Sequence, residues 1–395
     1  MLASGCRGQE LLFPMTMTPP AIERCSGLSV RQLHPREVDA AALVRWKSLA
    51  TRSSHQNPFL WPEFVIAGWE HLTPADRYRL WIVEDPLSSE WLLACPLHLP
   101  RCTRELPWPH ATSFQTIHTF RSGLLLDAER GPEALTAWLS SAETSREIGH
   151  GIEFQNFRLD SQLSQQLATV AGRLGWNWTT RRLQHSPAVF TELASDDYLD
   201  RKLTKSRRKS IRQTRRKLTE LGDVSFRLVQ LPEELPAALE RFLELEADSW
   251  KGVAGTALKS NPQEEQFIRD LVDSLARAGA VVISELRAGP WLMATALNLR
   301  AGSTLFAFKI SWNREFPRLS PGVLHEVELL QACRDEATGL TTLDSCAGED
   351  SYLGPLWPER IPIGNALLCR SNVALWSLQL LDSGRRLKQL LKSWR

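Results

Sequence analysis

At 395 residues, with 43% hydrophobic and 23% charged residues and a formal charge of +2, the chain has the composition of an ordinary globular protein and room for two domains. Seven scattered cysteines without a C-x-x-C pair exclude a zinc ribbon and argue against a disulfide framework, which points to reduced thiols in a cytoplasm. No run approaches the ~18 apolar residues of a membrane span, and the opening MLASGCRGQELLFPM lacks the basic and apolar regions of a signal peptide, so the expected localisation is cytoplasmic, with Met15 and Met17 as alternative starts.

In chain order, residues 1–32 carry no periodicity and contain the Pro19–Pro20 pair, and read as a flexible lead. From residue 33 the pattern is mixed α/β. VDAAALVRWKSLATRS reads as a helix, YRLWIVED and EWLLACPLHL as two strands joined by a Pro-Leu-Ser-Ser turn, and PEALTAWLSSAE and SQLSQQLATVAGRLG as helices flanking a strand at IEFQNFRL. The composition shifts abruptly at ASDDYLDRKLTKS, which sets a boundary between a first domain, 33–195, and a second, 196–395. Residues 201–217 hold ten Lys and Arg and no acidic residue, whereas the rest of the chain has 37 basic against 45 acidic residues. A sequence-wide argument for nucleic acid therefore fails, and only this segment could carry one.

The second domain reads as helix, helix, three strands, helix, strand. Leu235, Leu239, Phe242, Leu243 and Trp250 fall on one helical face; QEEQFIRDLVDSLARAG is a second helix; AVVISEL, WLMATALNLR and TLFAFKISWN follow with short turns between them, an antiparallel meander; TTLDSCAG returns as a strand. A final helix is expected at the C-terminus. Between the meander and the last strand lies RLSPGVLHEVELLQACRDEATG. Ser320 suits the N-cap, Pro321 the first helical position, and Gly322 leaves the next backbone N–H unobstructed, so the helix opens as a candidate anion site. Val323, Val327, Leu330, Cys333 and Ala337 form its buried stripe, and Gly339 ends it.

This order of elements, with SWKGVAGTAL and KISWNREFPRLSPGVLHEVELLQACRDEATGLTTLDSCAGEDSYLGPLW, resembles the GNAT acyltransferases, in particular the BioF-like branch that includes the CelD/BcsL cellulose-biosynthesis acetyltransferases. The first domain resembles the degenerate half of tandem, FemAB-like GNAT proteins. The resemblance implies an α/β (α+β) fold of tandem GNAT-like domains, with a mixed, mostly antiparallel sheet flanked by helices. It implies direct acyl transfer from acetyl-CoA or another acyl-CoA as co-substrate. It places the cofactor pyrophosphate at the start of the helix, on Arg318, Ser320, Gly322 and Val323. The usual Q/R-x-x-G-x-G/A loop is here R-L-S-P-G, with one glycine fewer and a proline that has no N–H to give.

Acyl transfer needs a base for the acceptor's proton and an acid for the departing thiolate. Asp344, Glu349 and Asp350 are the candidate bases and Tyr352 the candidate acid; the branch commonly has Tyr-Lys where this chain has Tyr352-Leu353. Loop solvation or capping accounts for the three carboxylates about equally well. Trp250, Trp312 and Trp357, with Lys251, are candidates to line an acceptor cleft between the domains, and Arg207 and Arg208 of the basic run to hold an anionic part of a ligand. The basic run otherwise reads as a solvated face. A Cys346–His325 nucleophile has no supporting spacing and a buried structural cysteine is the expected role; the nine histidines show no metal-binding spacing, so no metal is expected. The acceptor is expected to be a small molecule or a saccharide, by analogy an exopolysaccharide or cell-envelope precursor, with peripheral membrane contact open. The alternatives are a FemAB-like aminoacyl-tRNA-dependent transferase, although the basic run has no aromatics for base stacking, and a non-catalytic GNAT-like binding module.

Overall fold

The computed structural model describes residues 27–190, 202–334, 338–378 and 380. Most of the expected flexible lead and of the expected C-terminal helix lie outside these residues; 372–378 are helical. The sheet already begins at β1 (Ser29–Leu33), four residues earlier than the sequence pattern suggests. Helix α1 (Ala40–Arg52) starts where the Asp39 carboxylate accepts the Ala42 N–H at 2.7 Å, and buries Trp46 and Leu49. Helix α2 (Pro62–His71) opens on a proline at its first position.

The first unit continues with β2 (Tyr78–Asp85), β3 (Glu90–Arg101), β4 (His110–Ser113), the short β5 (Leu125–Leu126), helices α3 (Gly131–Ser140) and α4 (Ala142–Glu147), β6 (Gly151–Arg158), α5 (Gln162–Arg173) and β7 (Asn177–Phe190). The second unit opens with the basic helix α6 (Lys205–Thr219) and β8 (Val224–Val229). Then come α7 (Leu235–Ala247), the short α8 (Trp250–Val253), α9 (Pro262–Ala276), the meander β9 (Val281–Ala288), β10 (Trp291–Ala301) and β11 (Thr304–Trp312), α10 (Pro321–Cys333), β12 (Thr342–Asp344) and β13 (Glu359–Cys369). Trp250 lies beyond the end of α7, on α8, and does not continue the apolar face of α7.

All thirteen strands form one sheet in the order β1-β2-β3-β4-β6-β13-β7-β12-β11-β10-β9-β8, with β5 on β3. Read from either end the pattern is the same: antiparallel strands, one parallel pair, then antiparallel strands to the middle. The parallel pairs are β4/β6 and β11/β12. The two units are thus topological copies, and they interlock, because β13 of the second unit sits between β6 and β7 of the first while β7 pairs with β12.

The core also crosses the boundary. Phe64 of α2 meets Phe267 of α9 edge-on with centroids 5.3 Å apart, and Phe59 meets Phe306 of β11 at 5.8 Å. Fully buried rings in such contacts add about 0.5–1.5 kcal/mol per pair beyond the area they bury. A shared sheet and a shared aromatic core make the two units one cooperative body.

Candidate acyl-transfer site

Strands β11 and β12 run parallel over three residue pairs, Thr304/Thr342, Leu305/Leu343 and Phe306/Asp344. Beyond Asp344 they diverge. A cavity of about 260 Å³ opens there, lined by residues 307–310 of β11, Ala296 of β10, Ser345 to Ala347 after β12, Glu326 of α10, Ser351 to Leu353, Lys251 and Phe120. A register shift between β10 and β11 leaves Phe308 without a partner, since Leu297 pairs with Lys309 and Asn298 with Ala307. That bulge lets consecutive residues of β11 reach the same cavity, whereas strand alternation would send every second one away.

Glu326 is 2% exposed, its Oε2 is buried with no hydrogen bond among the described residues, and its Oε1 accepts from the Tyr352 hydroxyl at 3.4 Å. Burial pushes its carboxyl up to about 8, against a smaller opposing effect of the Tyr352 bond. The Tyr352 ring is 46% exposed while its hydroxyl reaches inward to Glu326; burial, and then the neighbouring carboxylate, push that phenol well above its usual range. Lys309 makes no hydrogen bond or ion pair among the described residues, and its Nζ lies 5.7 Å from the ring centroids of both Phe120 and Phe308. Burial, and then the charge of Lys251, lower its ammonium to about 8. Lys251 is fixed: its Nζ donates to Glu246 Oε1 at 2.7 Å and to the Ile310 carbonyl at 2.9 Å. A carboxylic acid and an ammonium that both titrate near neutrality in one cavity are what proton transfer requires.

The expected bases sit elsewhere. Asp344 is buried and gripped by Arg121 of the first unit, whose Nε donates to Oδ2 at 2.9 Å and Nη2 to Oδ1 at 2.5 Å. Its Oδ1 also accepts the Cys346 N–H at 2.9 Å. Both oxygens accept from donors of the protein itself, which makes Asp344 a clamp between the units. Glu349 and Asp350 are exposed and do not line the cavity. Of the four catalytic candidates, only Tyr352 lines it. Glu326 was hidden in the sequence because HEVEL on an amphipathic helix reads as a solvated edge. The structure buries α10 almost all round, Leu324, His325 and Glu326 included. Lys309 carried a legible signal, a lone lysine inside the apolar run TLFAFKISW.

Trp312 packs against Gly322 and in the cluster of Phe316, Leu319 and Leu324; Trp357 is buried in a second cluster with Leu330 and Cys333; Trp250 stands exposed on α8. None of the three lines the cavity, and Lys251 does. Cys346 also lines it, with a left-handed backbone (φ 54°), but burial and then the Asp344 charge push its thiol well above the usual range, the opposite of an activated nucleophile. His325 is spent in the core, its Nε2 against Ser284 Oγ at 2.9 Å.

The start of α10 departs from a simple N-cap. Ser320 occupies the cap position in the left-handed region (φ 44°, ψ 52°), and its side chain makes no capping bond. Its N–H is given to the Pro317 carbonyl at 3.3 Å and that of Val323 to the Ser320 carbonyl at 3.0 Å. The Gly322 N–H has no backbone partner among the described residues. Gly322 is buried, and an added Cβ would lie 3.4 Å from Trp312 Cδ1, so it is not the exposed first-turn position its place in the sequence suggests. Beside this end, α6 docks through Leu218 and Ile211, and Arg215 pairs with Glu328 of α10. Arg207 and Arg208 are half-buried on α6, and Lys209, Arg212 and Arg216 are exposed.

Residues 205–352 match the family model of the acetyltransferase (GNAT) domain. Three solved structures share the fold. They are FemX (13% identity, 88% of this chain and 99% of that one, TM-score 0.53), the C-terminal domain of a putative lysylphosphatidylglycerol synthetase from Agrobacterium fabrum (13%, 87% and 96%, 0.52), and a conserved protein of unknown function from Bacteroides thetaiotaomicron (8%, 87% and 100%, 0.53). No curated protein matches the chain. The second unit therefore carries the stretch that matches the GNAT acetyltransferase domain, and the whole chain shares the fold of these structures, built as two units of the same topology. Among the described residues no helix is long and apolar enough to cross a membrane.

Proposed function

We propose that this chain transfers an acyl group directly from acetyl-CoA or another acyl-CoA to an amine or hydroxyl acceptor, in the cavity where β11 and β12 diverge. The observation that carries the reading is the Glu326–Tyr352 pair facing Lys309 in that cavity, inside the residues that match the acetyltransferase domain. In the proposed reaction the acceptor attacks the thioester carbonyl and Glu326 takes its proton. The C–S bond breaks, Tyr352 protonates the leaving thiolate, and the proton held by Glu326 returns to Tyr352 along their hydrogen bond. Lys309, charged below about pH 8, stabilises the oxyanion. The pyrophosphate would lie on the Gly322 N–H with Arg318 beside it, and the adenosine phosphate toward the exposed bases of α6. With two of the N–H groups of this loop already engaged, charge on α6 carries more of the binding than in a glycine-rich loop.

The BioF-like branch, a cytoplasmic setting, and an exopolysaccharide or cell-envelope acceptor belong to the same proposal. They rest on the sequence resemblance, and SWKG gains support from Lys251 at the cavity wall. The aminoacyl-tRNA-dependent alternative rests on the FemAB-like resemblance and the basic face of α6. Thermal melts separate the two. A ligand that binds only the native state at 100 times its Kd stabilises by ~2.7 kcal/mol. The proposal expects that rise with acetyl-CoA and none with aminoacyl-tRNA; the reverse would replace it, and no rise with either would leave a binding module.

A further inference from the structure

A second cavity, of about 450 Å³, lies against β6, β13 and β7, where the strands of the two units interlock, within the range of roughly 300–1,000 Å³ typical of small-molecule sites. It is built by coordinated irregularities in three neighbouring strands. The β13–β6 register shifts between Gly364 and Ala366, and the β13–β7 register between Ile363 and Asn365. Asn156 on β6 and Arg182 on β7 adopt left-handed backbones (φ 54° and 50°), and a Cβ at Gly364 would lie 2.8 Å from the Arg181 carbonyl. Bulges of this kind redirect side chains, and strained non-glycine residues cluster where a site needs them. Here Gln155, Asn156, Arg182, Gln184 and Asn365 all line one cavity.

Its charges balance in number, Arg104 and Arg182 against Glu105 and Glu153. On the floor Glu153, 1% exposed, accepts from Thr103 Oγ1 at 2.8 Å and Asn365 Nδ2 at 3.0 Å, and faces the buried His110 Nε2 at 3.2 Å. At the wall Arg182 pairs with the buried Glu105. The side-chain amides of Asn156 and Gln184 make no hydrogen bond among the described residues. An amide both donates and accepts, which is the complement of a hydroxyl group. Among the described residues neither an aromatic nor an aliphatic side chain lines the cavity, which gives a nucleobase or an acyl chain no apolar surface to lie on.

We infer that this cavity is a second ligand site, separate from the acyl-transfer cavity, for an uncharged, hydroxyl-rich molecule: a saccharide unit. The inference uses none of the residues that line the acyl-transfer cavity, so it and the acyl-transfer reading fail independently. Saturation-transfer NMR on the full chain with glucose, N-acetylglucosamine and cellobiose, beside glycine and inorganic phosphate as zwitterionic and anionic probes, tests it. The expected result is saturable binding of at least one saccharide, weakened about tenfold or more by Gln184→Ala and by Asn156→Gly, as loss of a polar contact in a confined site requires. Asn156→Gly suits the left-handed backbone, so it keeps the fold if Gln184→Ala does not. Acetyl-CoA stabilisation serves as the control and should be unchanged in both. Three results would overturn the inference: no saccharide binding at millimolar concentration, saccharide binding indifferent to both variants, or binding of glycine or phosphate in place of the sugars.

Discussion

Replacing Glu326 with Gln should make the protein more stable and inactive at the same time. The carboxyl stands at about 8 in the folded chain against an ordinary 4.5, because burial penalises its charged form. A group whose folded value is raised contributes stability that is complete below its unfolded pKa and is lost as pH rises through the folded one. The wild type should therefore weaken from about pH 5 to about pH 8. The 3.5 separating the two values, at ~1.4 kcal/mol for each, sets an upper limit of about 5 kcal/mol. The cavity opens to solvent, which relieves part of the penalty and leaves an expected difference of about 2–4 kcal/mol. Gln keeps the shape and can still accept from the Tyr352 hydroxyl, but it does not ionise. Urea melts of both proteins across this pH range measure the difference directly: the two curves should agree near pH 5, with the variant ahead by about pH 8. In activity, the wild type should rise with pH as Glu326 deprotonates and fall as Lys309 loses its proton, giving a narrow optimum near pH 8 that the variant lacks. Parallel stability curves for the two proteins would mean that Glu326 is ionised in the native state at neutral pH, and the reasoning that makes it a base poised near neutrality would fail.

Tyr352→Phe should lower kcat by roughly 10²-fold or more and leave acetyl-CoA affinity and stability nearly unchanged, since only the hydroxyl on Glu326 is removed; a variant that loses stability and keeps its rate would make Tyr352 structural. Arg121→Met should cost about 3–5 kcal/mol in a urea melt, because it strands the buried Asp344 carboxylate between the units; a loss under about 1 kcal/mol would show that this clamp contributes little. Reversing the charges of Lys209, Arg212 and Arg216 should weaken acyl-CoA binding at low salt and have little effect at high salt, with screening over ~8 Å at 0.15 M. Arg215 is left in place because it anchors α6 to Glu328. Salt-independent affinity would return α6 to a solvated face.

The meander, both α9 and α10, and the return strand were legible because apolar periodicity and short turns survive in their sequences. The two strands that lock the units together were not. β7 carries TTRRLQHS at its centre and Pro187 near its end, and β13 carries Pro362 and Gly364. Proline and glycine inside a strand ordinarily argue against it, and both are accommodated here beside bulges. A boundary drawn at residue 195, outside the described residues, does not show that each half lends the other a strand. At the site, Tyr352 was within reach of reasoning because few tyrosines exist to choose from. Asp344 looked like a base because sequence does not show Arg121 arriving from 223 residues away. Glu326 lies off the apolar stripe read from the sequence, and the structure covers the helix that carries it on its other face as well. Asp344 and Glu326 are equally buried, and what separates them is the Arg121 pair that Asp344 has and Glu326 lacks.

Backbone hydrogen exchange with and without acetyl-CoA tests the central claim most directly, since it reports both binding and its place. The account predicts slowed exchange in three segments, 307–310, 320–326 and 345–353, where the thioester, the pyrophosphate and the Tyr352 loop meet. Protection confined to other segments, or none at saturating acetyl-CoA, would contradict it.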